Sequence, residues 1–125
     1  MLMKSVLLAD DNAFIIETIA ARIRDKGISV ITACNGQEAI DHAILARPDL
    51  AILDVSMPVM NGLDAASRLH EIMPSLPIIL FTSFADILRA RTNPPGVIAV
   101  IDKSSRLTDL MSIVDQCLRR QEKLG

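Results

Sequence analysis

Five polar side chains follow short apolar runs of the chain and have the types needed for one kind of chemistry. They are Asp10, Asp11, Asp54, Thr82 and Lys103. Three carboxylates gathered in one place repel one another unless a cation lies between them. Mg²⁺ suits such a place because it prefers oxygen ligands and keeps several waters, which leaves room for a phosphoryl oxygen. A lysine ammonium and a hydroxyl can bind that phosphoryl group from other sides. These residue types predict a phosphoryl-transfer site with a carboxylate as nucleophile.

These side chains can meet only if the apolar runs before them are strands of one sheet. The runs are continuous rather than alternating, as expected of strands that are buried on both faces. The predicted strands are Val6–Ala9, Ile28–Ala33, Leu50–Leu53, Ile78–Phe81 and Val97–Ile101. In an open parallel sheet, ligands bind beyond the carboxyl ends of the strands, which is where the five polar residues lie.

Helical segments alternate with the strands. They are predicted at Asn12–Lys26, Gln37–Ala46, Leu63–Met73, about Ala85 to Arg91, and a last helix that includes Leu107 and runs to about Gln121. Asn12 or Asp11 can cap the first helix, and Gly27 suits its left-handed exit. The alternation predicts an α/β fold with a doubly wound, five-stranded parallel sheet.

Composition limits the classes of protein. The chain has 125 residues, of which 50% are hydrophobic, and it contains three Phe but no Trp or Tyr, which predicts one domain, residues 1–125, with an aliphatic core. The net charge of -2 gives no support to a nucleic-acid or membrane partner. We find no signal peptide or membrane span and expect a cytoplasmic protein. Cys34 and Cys117 lack metal-ligand spacing, and we expect both to be small buried side chains in a reducing compartment.

Four motifs, taken together and in order, resemble those of response regulator receiver domains. They are the acidic pair Asp10-Asp11, the loop from Asp54 through Met57-Pro58 to Gly62, the hydroxyl residues Thr82-Ser83, and Lys103. The resemblance covers essentially the whole chain. It implies a flavodoxin-like (βα)5 fold with strand order 2-1-3-4-5.

The resemblance also implies a role for each residue. Asp54 would accept a phosphoryl group from a phosphohistidine. Asp11, Asp54 and the backbone carbonyl of Ser56 would bind Mg²⁺, with Asp10 acting mainly through water. Lys103 would pair with the phosphoryl group, and Thr82 would turn inward to bind it. The protein would then be a switch that undergoes slow autodephosphorylation, and not a turnover enzyme.

The implied partners are a sensor histidine kinase or a histidine phosphotransfer protein. An output domain or effector would read a surface formed by the fourth helix, the fifth strand and the fifth helix, and dimerisation is compatible with this fold. Three departures from the family pattern fall on that surface. Val100 stands where an aromatic ring is usual, Ser104 replaces a proline and would cap the last helix, and Asn93–Gly96 is an unusually stiff connection.

Several plainer interpretations stay open at this point. Asp10-Asp11 can serve as a helix cap, Asp54 can begin a turn, and Ser83 can replace Thr82 if the strand ends one residue later. His42 and His70 have the pattern of solvated surface residues. The main alternative function, motivated by Val100, is a receiver-fold interaction module that works without phosphorylation. An aspartyl hydrolase would usually have a second acid two residues after the nucleophile, where this chain has Ser56. A flavin binder would need aromatic stacking residues, which the chain does not show.

Overall fold

Five parallel strands form the single sheet of the computed structural model, which describes residues 3–85, 88 and 92–124, with 121–124 as backbone only. The strands are β1 Ser5–Ala9, β2 Ser29–Ala33, β3 Leu50–Leu53, β4 Ile78–Thr82 and β5 Val97–Asp102. Their spatial order is β2-β1-β3-β4-β5. The predicted doubly wound parallel sheet is therefore confirmed, as is the strand order that the resemblance implied.

Four helices lie among the described residues. They are α1 Ala13–Arg24, α2 Gly36–Ala46, α3 Gly62–Ile72 and α4 Leu107–Leu124. The helix predicted from about Ala85 to Arg91 falls largely on residues 86, 87 and 89–91, which lie outside the described residues. No helix in the described part of the chain is long and apolar enough to cross a membrane.

Asparagine side chains begin three of the helices. The side chains of Asn12, Asn35 and Asn61 accept hydrogen bonds from the backbone N–H three residues further on, which satisfies one of the free donors of the first helical turn. Of the two caps predicted for α1, Asn12 is therefore the one used. The prediction that Ser104 caps the last helix is wrong, because α4 begins three residues later, at Leu107.

The strands supply two apolar layers, one on each face of the sheet. Side chains alternate along β1, so Leu7 and Ala9 pack towards α2 and α3, whereas Val6 and Leu8 pack towards α1 and α4. The strands are continuously apolar because the side chains on both faces of the sheet are buried. Phe81 is the buried phenylalanine, while Phe14 and Phe84 are exposed, so the core is chiefly aliphatic as predicted.

Candidate functional site

The carboxyl ends of β1 and β3 place two carboxylates side by side. The two strands are neighbours, with Ala9 level with Leu53, and the ladder continues one residue further because the Asp54 N–H donates to the Ala9 carbonyl at 2.9 Å. Asp10 and Asp54 therefore leave the sheet at the same height. Both are almost fully buried, with exposures of 2% and 5%. Two buried carboxylates at the ends of neighbouring strands need a counter-charge.

Lys103 supplies that counter-charge from the end of β5, which lies two strands away from β3 in the sheet. It follows β5, where its backbone N–H donates to the Thr82 carbonyl at 3.0 Å. Its Nζ lies 2.8 Å from Asp10 Oδ2 and 3.1 Å from Asp54 Oδ2. The ammonium thus bridges the two buried carboxylates, while its long side chain spans the end of β4.

Asp11 completes the acidic cluster. One carboxylate oxygen from each of Asp10, Asp11 and Asp54 can be chosen so that all three lie within 4.8 Å of one another, and Asp11 is the exposed member. Asp10 is held in place because its Oδ1 accepts the Asn12 N–H at 2.9 Å. Asn12, and not Asp11, caps α1. The Asp11 carboxylate is therefore not needed to cap the helix.

The cluster shifts the pKa of two groups. Burial, followed by the negative charge of Asp10, raises the pKa of Asp54, and the hydrogen bond and charge of Lys103 offset this only in part. Burial by itself lowers the pKa of Lys103, but its hydrogen bonds to Asp10 and Asp54 outweigh burial and leave that pKa raised. Lys103 is therefore a permanent cation here, and the excess negative charge remains on the carboxylates.

The predicted hydroxyl lies beside the cluster. β4 ends at Thr82, which is fully buried, whereas Ser83 is exposed. The position therefore favours Thr82 over Ser83. The Thr82 Oγ1 accepts the Phe84 N–H at 3.2 Å. Ser56 is exposed in the bend after β3, and its role stays a prediction.

The loop between β3 and α3 is held by backbone contacts. The Gly62 N–H donates to the Val55 carbonyl at 2.8 Å, and a Cβ at Gly62 would overlap the carbonyl oxygen of Asp54. The Gly36 N–H, at the start of α2, donates to the Met60 carbonyl at 3.0 Å. Gly62 therefore allows the loop to approach the backbone of Asp54 closely. The hydrogen bond from Gly36 anchors the other end of the loop, at Met60.

Sequence reasoning missed two residues of this loop system. Gly36 lies one residue before the predicted helix start at Gln37, yet it begins α2 and contacts the loop; Glu38, which follows Asn35 at the spacing of a capping box, is the signal for the earlier helix start. Val59 has a φ of +67°, and the Met60 N–H donates to the Pro58 carbonyl at 2.7 Å. This is a γ-turn with a left-handed centre, which a β-branched residue rarely adopts.

Three further expectations are wrong in whole or in part. Cys34 is exposed, although Cys117 is buried as predicted. His42 is half-buried, with Nδ1 2.8 Å from the Thr32 carbonyl. His70 has a buried Nδ1 without a hydrogen-bond partner among the described residues, close to Gly96. Neither histidine is thus a simple solvated surface residue, because both pack against backbone.

Comparison with known proteins identifies the class. The family profile of the response regulator receiver domain matches residues 6–115. The chain belongs to this family, whose members are the phosphoacceptor switches of two-component systems. Receiver domains bind Mg²⁺ at an acidic pocket and interact with histidine kinases and with output or effector domains.

Individual relatives agree with this assignment. The chain is 34% identical over 119 residues to the transcriptional regulatory protein PdtaR of Mycobacterium tuberculosis, which covers 94% of this chain and 58% of PdtaR. The chain therefore spans less than two thirds of that relative's length. A CheY-like receiver domain from Methanospirillum hungatei has a TM-score of 0.87 at 25% identity, covering 99% of this chain and all of that one.

A further solved structure was determined with a metal. It is the response regulator TrrA from Thermotoga maritima in complex with Mg²⁺ and BeF. It has a TM-score of 0.80 at 28% identity, and the match covers 92% of this chain and 99% of TrrA.

Proposed function

We propose that the chain is a phosphoacceptor receiver domain that is phosphorylated on Asp54 in a Mg²⁺-dependent reaction. The observation that carries the proposal is the convergence of Asp10, Asp11, Asp54 and Lys103 at the carboxyl ends of three strands. Asp54 follows β3, the central strand of the sheet, with Asp10 after the strand on one side and Thr82 as the last residue of the strand on the other. A phosphoryl group on Asp54 would therefore lie within reach of all the other groups.

The donor set fits Mg²⁺. Three carboxylates can each offer an oxygen within 4.8 Å of the others, and all-oxygen ligands suit a hard divalent ion. Asp11, Asp54 and the Ser56 carbonyl would hold the ion, with Asp10 acting through water. Bound Mg²⁺ would neutralise the carboxylates and the oxygens of an incoming phosphoryl group.

Phosphoryl transfer needs a nucleophile and charge stabilisation. An Asp54 carboxylate oxygen would attack the phosphorus of a phosphohistidine; the new O–P bond forms as the P–N bond breaks, and the departing imidazole takes a proton from solvent. Lys103 already has its Nζ 3.1 Å from Asp54 and would pair with a phosphoryl oxygen. The Thr82 hydroxyl would donate to another oxygen after transfer.

The test is phosphorylation by a small donor. With acetyl phosphate and Mg²⁺, we expect wild type to be retarded on a phosphate-affinity gel and Asp54→Asn to migrate unchanged. Asp41→Asn removes an exposed carboxylate on α2 and serves as the matched control, which should still be retarded. Retardation of Asp54→Asn, or of wild type in the presence of EDTA, would overturn the proposal.

A histidine kinase or histidine phosphotransfer protein would be the physiological donor, and an output or effector protein would read the phosphorylated state.

A second candidate function is an interaction module that works without phosphorylation. It is favoured by Val100, which stands where the family usually has an aromatic ring; Val100 is half-buried on β5 and packs against the apolar layer on the α2 and α3 side. Partner affinity separates the two functions. A switch has different affinities for wild type with and without beryllofluoride, whereas the module binds both forms and Asp54→Asn equally.

A further inference from the structure

The Thr82 hydroxyl has a hydrogen-bond partner, and that partner lies outside the acidic cluster. Its Oγ1 accepts the Phe84 N–H at 3.2 Å. Thr82 is fully buried, and within the described residues its hydroxyl makes no hydrogen bond to Asp54. The oxygen is therefore used as an acceptor, while its hydrogen has no acceptor among those residues. A buried hydroxyl with an unused hydrogen is suited to donate to an oxygen that arrives beside it.

Phe84 begins a helical turn, and the bond from Thr82 lies at its start. The Leu88 N–H donates to the Phe84 carbonyl at 3.1 Å, which is the spacing of an α-helix. Ala85 and Leu88 are buried, whereas the Phe84 side chain is 48% exposed. The first N–H groups of a helical turn have no partner within that turn, and the Thr82 side chain supplies one. Thr82 therefore caps the segment that follows β4.

The backbone of Thr82 is fixed, so only its side chain can change partner. Thr82 is the last residue of β4, where it pairs with Asp102 of β5, and its carbonyl accepts the Lys103 N–H at 3.0 Å. The hydroxyl changes its position by rotation about the Cα–Cβ bond. The buried side chains of Ala85 and Leu88 hold the helical turn in place, so the Phe84 N–H does not follow this rotation.

We propose that the Thr82 hydroxyl binds two partners in turn, the Phe84 N–H before phosphorylation and a phosphoryl oxygen on Asp54 afterwards. The inference rests on the proposed function, because it needs a phosphoryl group on Asp54. Phosphorylation then removes the cap from the segment that begins at Phe84, and the exposed phenylalanine ring carries the change to the surface. By linkage, a partner that holds Phe84 in its capped position weakens phosphoryl binding by the factor by which phosphorylation weakens that partner.

The first test measures the cap in the metal-free protein. The chain has three phenylalanines, so isotopic labelling of phenylalanine nitrogen gives three amide signals, and Phe84→Leu identifies the one from Phe84. We expect Thr82→Val, which keeps the shape of threonine without the hydroxyl, to lower the exchange protection factor of the Phe84 amide about fivefold, as for a lost capping bond. Thr82→Ser should retain the protection. Ser83→Ala removes the neighbouring exposed hydroxyl and is the matched control, which should also retain it.

The second test measures the change of partner, with beryllofluoride and Mg²⁺ in place of the phosphoryl group. Fluorine NMR shows that beryllofluoride is bound. We expect bound wild type to lose the same protection at Phe84 as metal-free Thr82→Val, and Thr82→Val to lose no more when beryllofluoride binds. The wild-type comparison needs no substitution at Thr82, so it decides the proposal even where Thr82→Val is unstable. Urea denaturation of each variant checks that it is folded.

Two results would overturn the inference alone. Unchanged protection of the Phe84 amide in folded Thr82→Val would mean that the hydroxyl does not hold this N–H. Full protection in wild type with beryllofluoride bound would mean that one hydroxyl position serves both partners at once. A wild type that shows no bound fluorine signal would instead overturn the proposed function, and the inference with it.

Discussion

Lys103 has its Nζ within 3.1 Å of two carboxylates, yet only one positive charge faces the three acids of the cluster. The charge of the cluster is therefore unbalanced in the metal-free protein. The effect of this imbalance is seen at Asp54, where burial, followed by the negative charge of Asp10, raises the pKa and makes the charged form less favourable. A receiver domain that has to bind both Mg²⁺ and a phosphoryl group keeps these charges at a cost in stability.

That cost gives a prediction for pH dependence without metal. Burial raises the pKa of Asp54 above its ordinary value of 3.8, so the protonated form stabilises the fold, and this contribution is lost as the pH rises through the folded-state pKa. We expect Asp54→Asn to unfold at higher urea concentration than wild type at neutral pH, and the difference to shrink towards pH 4. The asparagine keeps an acceptor for Lys103 and has no charge to repel Asp10.

Urea midpoints measured between pH 4 and pH 8 in EDTA test this expectation. Asp41→Asn removes one negative charge from an exposed position, so it controls for the change in net charge that Asp54→Asn also brings. Mg²⁺ should stabilise wild type more than Asp54→Asn, because the variant lacks one of the proposed ligands. A wild type that is more stable than Asp54→Asn throughout this range would contradict the predicted direction.

At the scale of the elements, the strands and most helices follow from the sequence. Leu50–Leu53 is predicted to the residue, because an apolar run that ends at a carboxylate marks a central parallel strand clearly. The polar residues at the strand ends were predicted for the same reason. The turn at Val59 could not be predicted, because its positive φ contradicts the preference of valine and depends on contacts elsewhere in the loop.

Gly36 shows a second limit of sequence reasoning. Its importance comes from a contact with Met60, 24 positions along the chain, and no local pattern encodes that contact. His42 and Cys34 are similar cases, because their environment comes from the packing of α2 beside the end of β2. Residues that depend on nonlocal backbone approach are therefore the ones that the sequence leaves undefined.

The contact between α2 and the β3–α3 loop can be tested by adding one methyl group. A Cβ at Gly36 would overlap the Met60 carbonyl oxygen and lie 2.9 Å from the Met60 carbonyl carbon. Because these are backbone atoms that cannot rotate away, we expect Gly36→Ala to lower the free energy of unfolding by about 2–3 kcal/mol. Alanine is otherwise the better helix former by about 1 kcal/mol.

Gly27→Ala separates overlap from backbone strain. Gly27 has a φ of +81°, and nothing lies within 4 Å of a Cβ built there, so this variant bears strain alone, about 1–2 kcal/mol. Urea denaturation of both variants gives the comparison. A Gly36→Ala variant as stable as wild type would mean that the loop moves away freely and that the contact does not position it.

At the scale of the whole molecule, the two apolar layers share the same strands. β1, β3 and β4 contribute alternate side chains to both layers, so neither layer can form while the sheet is absent. The exposed ion pair between Lys26 and Asp115, with Nζ and Oδ2 2.7 Å apart, joins the turn after α1 to α4 but contributes at most about 1 kcal/mol. Cooperativity therefore has to come from the sheet and its two layers.

One cavity on each face tests this coupling. Leu69 on α3 and Leu110 on α4 are both fully buried, in different layers. We expect Leu69→Ala and Leu110→Ala each to cost about 2–5 kcal/mol and each to unfold in a single calorimetric transition. Exposed Leu45→Ala on α2 is the control and should change stability by less than about 0.5 kcal/mol. Amide hydrogen exchange should show both layers losing protection together, because β3 and its neighbours hold both helices. Two transitions, or protection lost on one face alone, would mean that the layers fold independently.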